Sequence, residues 1–251
     1  MNDIHFEEHE TELRDFFGHL GREISSIIAV HKDEMTSFFS DLGAAVDIAK
    51  RAQEEMDRRA ATKFSIFDYF RVRETDLSCI FADILDSSGT HGQGDRFLSL
   101  FLKETLPEYS PSRTFTNAKM VHLEYSTHER RKIDIVLEMS DNHWIGIENK
   151  PWAEEQERQV EAYMEYLQSK VKKSGTAWIL YLSGNGSDPQ TLPDDPKLRE
   201  CCGTVPYRKN RTSGSLENWI EQCWRECEAE RVRWFLKGLL KYIQQTFKEE
   251  N

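Results

Sequence analysis

Asp134, Glu148 and Lys150 are the residues whose types and spacing point to chemistry. They lie in RKIDIVLEMSDNHWIGIENK, residues 131–150, which reads as two strands joined by a tight turn at Ser140-Asp141-Asn142. Asp and Asn bond their own backbone and tolerate left-handed angles, which suits such a turn. In the first strand Ile133, Ile135, Leu137 and Met139 alternate with Lys132, Asp134, Val136 and Glu138. In the second, a period of two places Glu148 and Lys150 on one face and Ile145, Ile147 and Asn149 on the other. An acid therefore stands inside an otherwise apolar strand, and an acid and an amine end its neighbour. Buried charges are costly unless they pair or hold a metal. Two carboxylates on adjacent strands suit a hard divalent cation such as Mg²⁺, which takes oxygen ligands and keeps several waters. A lysine two residues beyond the second acid points the same way. It could orient or activate a metal-bound water, or offset charge on a pentavalent phosphate. A solvated hairpin with one Glu148–Lys150 salt bridge is the competing reading, and the flanking elements weigh between the two.

Those elements can be read from periodicity. Residues 4–60 carry Leu13, Phe16, Phe17, Leu20, Ile24, Ile27 and Ile28, then Met35, Phe38, Phe39, Leu42, Val46 and Ile48. Three-four spacing predicts two amphipathic helices, with His31-Lys32-Asp33 as the turn of an αα-hairpin. The aromatic stretch KFSIFDYFRVR (63–73) predicts buried Phe64, Phe67 and Phe70, three residues apart, with a stacking platform for nucleic acid as the alternative. A helix follows through Leu77, Ile80, Phe81, Ile84 and Leu85. Glu74 stands one turn before it, either as an acid favoured by the helix dipole or as a third carboxylate turned to the hairpin. His91-Gly92-Gln93-Gly94 permits a sharp turn with exposed amides that could approach a phosphate, before a second helix through Phe97, Leu98, Phe101 and Leu102.

A strand is expected over Lys119–Tyr125, paired to the 131–140 strand across Thr127-His128-Glu129. After Pro151-Trp152, a helix over Glu155–Lys170 stacks Gln159 and Tyr163 on one face near the hairpin end. Thr176–Leu182 is a short apolar run of the kind found in a strand covered on both faces. A loop over Ser183–Lys197, rich in Gly, Asp and Pro, is a candidate lid. Two helices close the chain, one through Trp219, Cys223 and Trp224, the other through Trp234, Phe235, Leu239, Leu240 and Ile243.

Ile133-Asp134 followed by Glu148-Asn149-Lys150 resembles the bipartite signature of the PD-(D/E)XK nuclease superfamily, with Ile133 in the place of its proline. Together with Glu74, the Ser–Leu-Asp–His-Gly-Gln-Gly–Phe-Leu helix–loop–helix and the Gln159-x-x-x-Tyr163 element, residues 64–183 resemble a bacterial PD-(D/E)XK nuclease-like family of largely uncharacterised function. The resemblance implies an α/β, restriction-endonuclease-like αβββαβ core with a mixed central sheet. It would occupy residues 63–251, with the helical hairpin of residues 1–62 ahead of it and further helices at its C-terminal end. It implies Mg²⁺ or Mn²⁺ held by Asp134, Glu148, the Asn149 backbone carbonyl and Glu74. Lys150 would serve the attacking water and the phosphate charge, and Gln159 would hold a phosphate or the lysine. His91, Gln93 and Tyr163 are the further candidates for substrate contact. The expected activity is hydrolysis of phosphodiester bonds, in DNA ahead of RNA, in phage defence or DNA processing. The alternative is an inactive nuclease-fold module that binds nucleic acid or protein.

Composition bounds this reading. A net charge of −11 disfavours sequence-independent coating of nucleic acid, whose affinity comes from phosphate neutralisation. It leaves room for a local basic patch with a bound metal. Candidate patches are Arg71 with Arg73, Arg130–Lys132, Lys170 with Lys172 and Lys173, and Arg208–Arg211. Five cysteines, Cys79, Cys201, Cys202, Cys223 and Cys227, lack zinc-knuckle spacing and argue for reduced thiols. No apolar run is long enough to cross a membrane, and the acidic N-terminus has no signal-peptide character. A cytoplasmic location is the expectation. A homodimer or a protein partner is expected to engage the N-terminal helices.

Overall fold

A computed structural model describes residues 3–61 (backbone alone over 3–13), 64–106, 118–127, 131–140, 142–152, 158–172, 175–209 and 214–248. It divides into two units, residues 1–64 and 65–251. The first corrects the expected hairpin. α1 (Asp3–Ala60) is a single helix of 58 residues that runs straight through His31-Lys32-Asp33. Polar residues alone do not end a helix, and no Gly or Pro interrupts residues 22–42. Instead the polar cluster serves the helix. His31 Nδ1 lies 3.2 Å from Glu34 Oε2, and Thr36 Oγ1 donates to the Lys32 carbonyl.

The second unit runs α2 (Glu74–Leu85), α3 (Arg96–Thr105), β1 (Ala118–Ser126), β2 (Lys132–Met139), β3 (Trp144–Lys150), α4 (Gln159–Lys170) and β4 (Ala177–Ser183). The short α5 (Pro196–Arg199), β5 (Cys202–Pro206), α6 (Leu216–Glu226) and α7 (Glu230–Thr246) complete it. The strands form one mixed sheet in the order β1-β2-β3-β4-β5. β1, β2 and β3 pair antiparallel, while β4 and β5 run parallel to β3. This is the expected αβββαβ order with helical additions. The reading of the sequence did not identify β5, whose five residues combine Gly203 and Pro206 with little alternation.

Alternation sorts the strand residues onto two covered faces. Ile135, Leu137, Ile145, Ile147, Leu180 and Leu182 meet α2, α3, α6 and α7 on one. On the other, Val136, Ile179 and Tyr181 meet Val160, Tyr163, Met164 and Leu167 of α4. α4 closes down because Gly146 has no side chain: a Cβ there would come within 2.7 Å of Leu167 Cδ1. Ile133 joins the α4 face although alternation puts it with Ile135. Of the three phenylalanines expected inside, Phe67 is buried, whereas Phe64 and Phe70 are about two-thirds exposed. A 3₁₀ turn over Ile66–Asp68 carries the buried Phe67.

One buried ion pair ties the end of the sheet to α6. Glu217, 3% exposed, accepts from Arg208 Nε at 2.9 Å, the Lys209 backbone N–H at 3.0 Å and Gln244 Nε2 at 2.8 Å. Burial alone would raise its carboxyl, but Gln244, the Lys209 amide and Arg208 together hold it below the ordinary range. A carboxylate with a depressed folded pKa adds stability above its unfolded pKa, and loses it as pH falls through the folded value. Glu217→Gln is therefore expected to cost on the order of 3 kcal/mol at pH 7. The gap to the wild type should narrow as pH falls below about 4.5. Urea unfolding at pH 7 and pH 4 checks both points.

Candidate active site

Three elements bring the charges of the β2–β3 hairpin to one end of the sheet. α2 starts at Glu74 because Asp76 accepts from the Arg73 backbone N–H and guanidinium, which caps the first turn. β3 reaches that turn through Asn149. Its Nδ2 donates to the Glu74 carbonyl at 3.2 Å and to Ser78 Oγ at 3.0 Å, and its Oδ1 accepts from the Tyr207 hydroxyl at 2.6 Å. This fully buried amide fastens β3 to α2 and to the residue that follows β5. Glu74 is thereby held at the end of β3.

Glu148 leaves the opposite face of the strand and is 1% exposed. Its Oε1 accepts from Gln159 Nε2 at 2.7 Å and lies 2.7 Å from Lys150 Nζ. The same Nζ lies 3.1 Å from Glu74 Oε1, so the lysine bridges two acids from different elements. Gln159 Nε2 also reaches the Tyr163 hydroxyl at 3.1 Å, and that hydroxyl donates to the Lys132 carbonyl. Asp134 accepts the Asn149 backbone N–H at 2.8 Å across the hairpin.

Negative charge is in surplus here. Burial, and then Asp134, push the Glu148 carboxyl up to about 8 against the pull of Lys150. Burial likewise raises Asp134, with the Asn149 amide and Lys150 opposing and Glu74 adding to it. Burial would lower Lys150, but Glu148, Glu74 and Asp134 outweigh it and keep the amine cationic. Glu148 Oε2 is buried with no hydrogen-bond partner. Buried polar atoms are nearly always satisfied, so an orphaned carboxylate oxygen beside a second acid marks a place for a cation. Among the described residues no group of three or more His, Cys, Asp and Glu side chains is gathered tightly enough to hold a metal. The donors that remain are the two carboxylates of Asp134 and Glu148, completed by backbone carbonyl and water. That set fits a hard ion that keeps much of its hydration.

Two clefts meet at this end of the sheet. One, of about 510 Å³, is lined by Lys150, Trp152, Ser183, Asn185, Asp188 and Lys248. The other, of about 640 Å³, is lined by Phe70, Arg71, Arg73, Glu74, Trp152 and Tyr242. Half-exposed Trp152 belongs to both and stacks on Phe247 with ring centroids 5.8 Å apart.

The candidate residues Asp134, Glu148, Asn149, Lys150, Glu74, Gln159 and Tyr163 are thus brought together. His91 and Gln93 are not. They follow the far end of α2, whose twelve residues span about 18 Å from Glu74. Their polar groups serve the fold. His91 Nε2 lies 2.9 Å from the Asp86 carbonyl, His91 Nδ1 accepts from the Gln93 N–H, and Gln93 Oε1 accepts from the Glu228 N–H. The expected basic patches are largely paired as well: Arg73 with Asp76, Lys132 with Glu124, Arg208 with Glu217 and Lys209 with Glu221. Arg130, Lys173, Asn210 and Arg211 lie outside the described residues, as do Asp141 of the hairpin turn, His128-Glu129 of the β1–β2 link and Glu155 at the expected start of α4.

Reading the sequence quoted Ser78 in the helix–loop–helix motif without giving it a role, and missed Tyr207 and Trp152 as site residues. Ser78 carries a weak signal, four residues after Glu74 on the same helical face. Tyr207 carries none, since it reaches Asn149 only through the fold.

A family model described as the PD-(D/E)XK nuclease superfamily matches residues 64–246. Comparisons with curated proteins and with solved structures gave no match.

Proposed function

Because the chain belongs to the PD-(D/E)XK nuclease superfamily, we propose that it is a metal-dependent nuclease that hydrolyses phosphodiester bonds, those of DNA ahead of RNA. One observation carries the reading. Lys150 Nζ sits between Glu148 and Glu74 at 2.7 and 3.1 Å, with Asp134 on the paired strand and Glu148 Oε2 left without a partner. Asp134, Glu148 and the Asn149 carbonyl would hold Mg²⁺ or Mn²⁺, with Glu74 beside them. When bound, such an ion supplies a Lewis acid and lowers the pKa of water. The protein's own part is placement. Gln159 fixes the rotamer of Glu148 by its 2.7 Å hydrogen bond and is a positioning residue. Lys150 presents a cation where charge grows on the phosphate. The cleft from Lys150 past Ser183 and Asn185 to Lys248 would take a strand's backbone, and Trp152 would offer a face to a base. No helix among the described residues is long and apolar enough to cross a membrane.

The test is incubation of plasmid DNA, single-stranded DNA and RNA with Mg²⁺ or Mn²⁺, for the wild type and Lys150→Ala. Metal-dependent cleavage lost in the variant is the expected result. A folded wild type that cleaves nothing and binds no metal would sink the enzyme and leave a docking module. Gln159→Leu should raise the metal concentration needed for half-maximal cleavage by about 10-fold or more, as loss of an outer-shell partner does. A metal titration at saturating substrate measures this.

A further inference from the structure

We infer that α1 pairs with the α1 of a second copy of this chain, as an antiparallel coiled coil. Among the described residues of its own unit, no other element packs on the helix. Along it Phe17, Leu20, Ile24 and Ile27 recur at steps of three and four, and Met35, Phe38 and Leu42 continue the seam into Ala45, Ala49 and Ala52. Exposure runs from 38% at Leu20 to 63% at Phe17. A sustained 3.5-residue apolar repeat is the pattern of a helix that wraps another helix. The rhythm breaks once, with two successive steps of four from Ile27 through His31 to Met35, where a coiled coil locally relaxes its supercoil.

Volume and charge both choose the occupant and its direction. The seam is large from Phe17 to Leu42 and small over Ala45, Ala49 and Ala52. In one antiparallel register Phe17 faces Ala52, Leu20 faces Ala49, Ile24 faces Ala45 and Ile27 faces Leu42. Three of those four layers then join a large residue to an alanine. A parallel pair would set Phe17 on Phe17 at one end and Ala49 on Ala49 at the other, with a width that helix backbones follow poorly. Charge agrees. Residues 3–12 hold five acids, Asp3, Glu7, Glu8, Glu10 and Glu12, and no Lys or Arg. Residues 50–59 hold Lys50, Arg51, Arg58 and Arg59 among three acids. A parallel pair sets the five acids against five more, whereas in the antiparallel register residues 10–19 lie along 50–59, so Glu10 and Glu12 meet the basic end and Asp3, Glu7 and Glu8 fall opposite positions beyond Ala60. Like charges across a helix pair are a strong determinant of partner direction. In this register the two Ala60 ends lie about 75 Å apart along the axis, at 1.5 Å per residue.

Light scattering of the full chain tests the pairing, with twice 29.4 kDa expected. A monomer would overturn it, including a monomer whose helix engages a different protein. Co-expressed Phe17→Cys and Ala52→Cys chains should form a disulfide-linked pair on oxidation. A link formed by Phe17→Cys chains alone, above the wild-type background, would establish parallel packing and refute the register. Ile24→Glu combined with Ile27→Glu should halve the mass and leave the near-ultraviolet signal of the buried Trp219 intact. A variant that remains dimeric would show that the seam is elsewhere.

Discussion

Asp134→Asn should abolish cleavage and, in the presence of a chelator, make the protein more stable. The two effects have one cause. Asn keeps the shape of Asp134 and still offers an oxygen to the Asn149 N–H, now at 2.8 Å. What it removes is one negative charge from a partly desolvated site where Glu74, Asp134 and Glu148 surround the single amine of Lys150. Without metal, that surplus is a cost the fold carries. Relief of such strain at functional sites raises stability by roughly 0.5–2 kcal/mol. For a unit of this size that is about 1–8 °C in Tm. The same change removes a carboxylate donor, and cleavage should fall by at least about 10²–10³-fold. Adding Mg²⁺ should raise the Tm of the wild type toward or past that of the variant and leave the variant nearly unmoved, because ligand binding stabilises only the state that binds. Differential scanning calorimetry with and without chelator, beside a cleavage assay, separates the outcomes. A variant that melts lower than the wild type in chelator would show that Asp134 holds the fold together rather than straining it. In that case the metal reading of the cluster would lose its electrostatic support.

Why Asp134, Glu148 and Lys150 were legible in the chain, and their supports were not, follows from the range of the interactions. Strand alternation is local: once Ile145, Ile147 and Asn149 are assigned to one face, Glu148 must take the other, where α4 brings Gln159. The turn was legible for the same reason, and Asn142 adopts the left-handed φ of 67° that its side chain tolerates. Glu74 needed the helical stripe of α2 to be placed. Tyr207 lies 58 residues from Asn149 and could be placed only after β5 had added to the sheet beside β4. β5 itself has almost no pattern. The long α1 was misread as a hairpin because a polar cluster on an apolar face looks like a turn when no partner is in view. If the seam faces another helix, His31 is a stutter and not a stop. His91 and Gln93 failed in the opposite direction. A glycine-flanked polar loop suggests a phosphate site, but here its polar atoms are consumed by Asp86 and Glu228.

Gly184 shows how closely the backbone is drawn in beside Lys150, and it carries the second large effect. β3 and β4 are parallel neighbours that end together, with Lys150 opposite Ser183. Gly184 N–H then donates to the Lys150 carbonyl at 3.1 Å. A Cβ at Gly184 would lie 1.9 Å from the Pro151 carbonyl oxygen and 2.7 Å from its carbon. Both are backbone atoms, so no side-chain rotation relieves the clash, and the ends of β3 and β4 would have to part. Forced overpacking of this kind costs about 1–3 kcal/mol, occasionally more. The larger consequence is positional. Pro151 follows Lys150 directly, and Lys150 Nζ is held by contacts of 2.7 and 3.1 Å that a backbone shift would lengthen. A displacement of about 1 Å in a positioned group can cost 10²-fold in rate. Gly184→Ala is expected to keep metal-induced stabilisation, because Asp134 and Glu148 lie further back along their strands, while its single-turnover cleavage rate falls by about 10- to 100-fold. Calorimetry with Mg²⁺ and a cleavage time course at saturating metal measure the two sides. Wild-type rates in a destabilised variant would mean that Lys150 tolerates the movement, and that its role is charge rather than position.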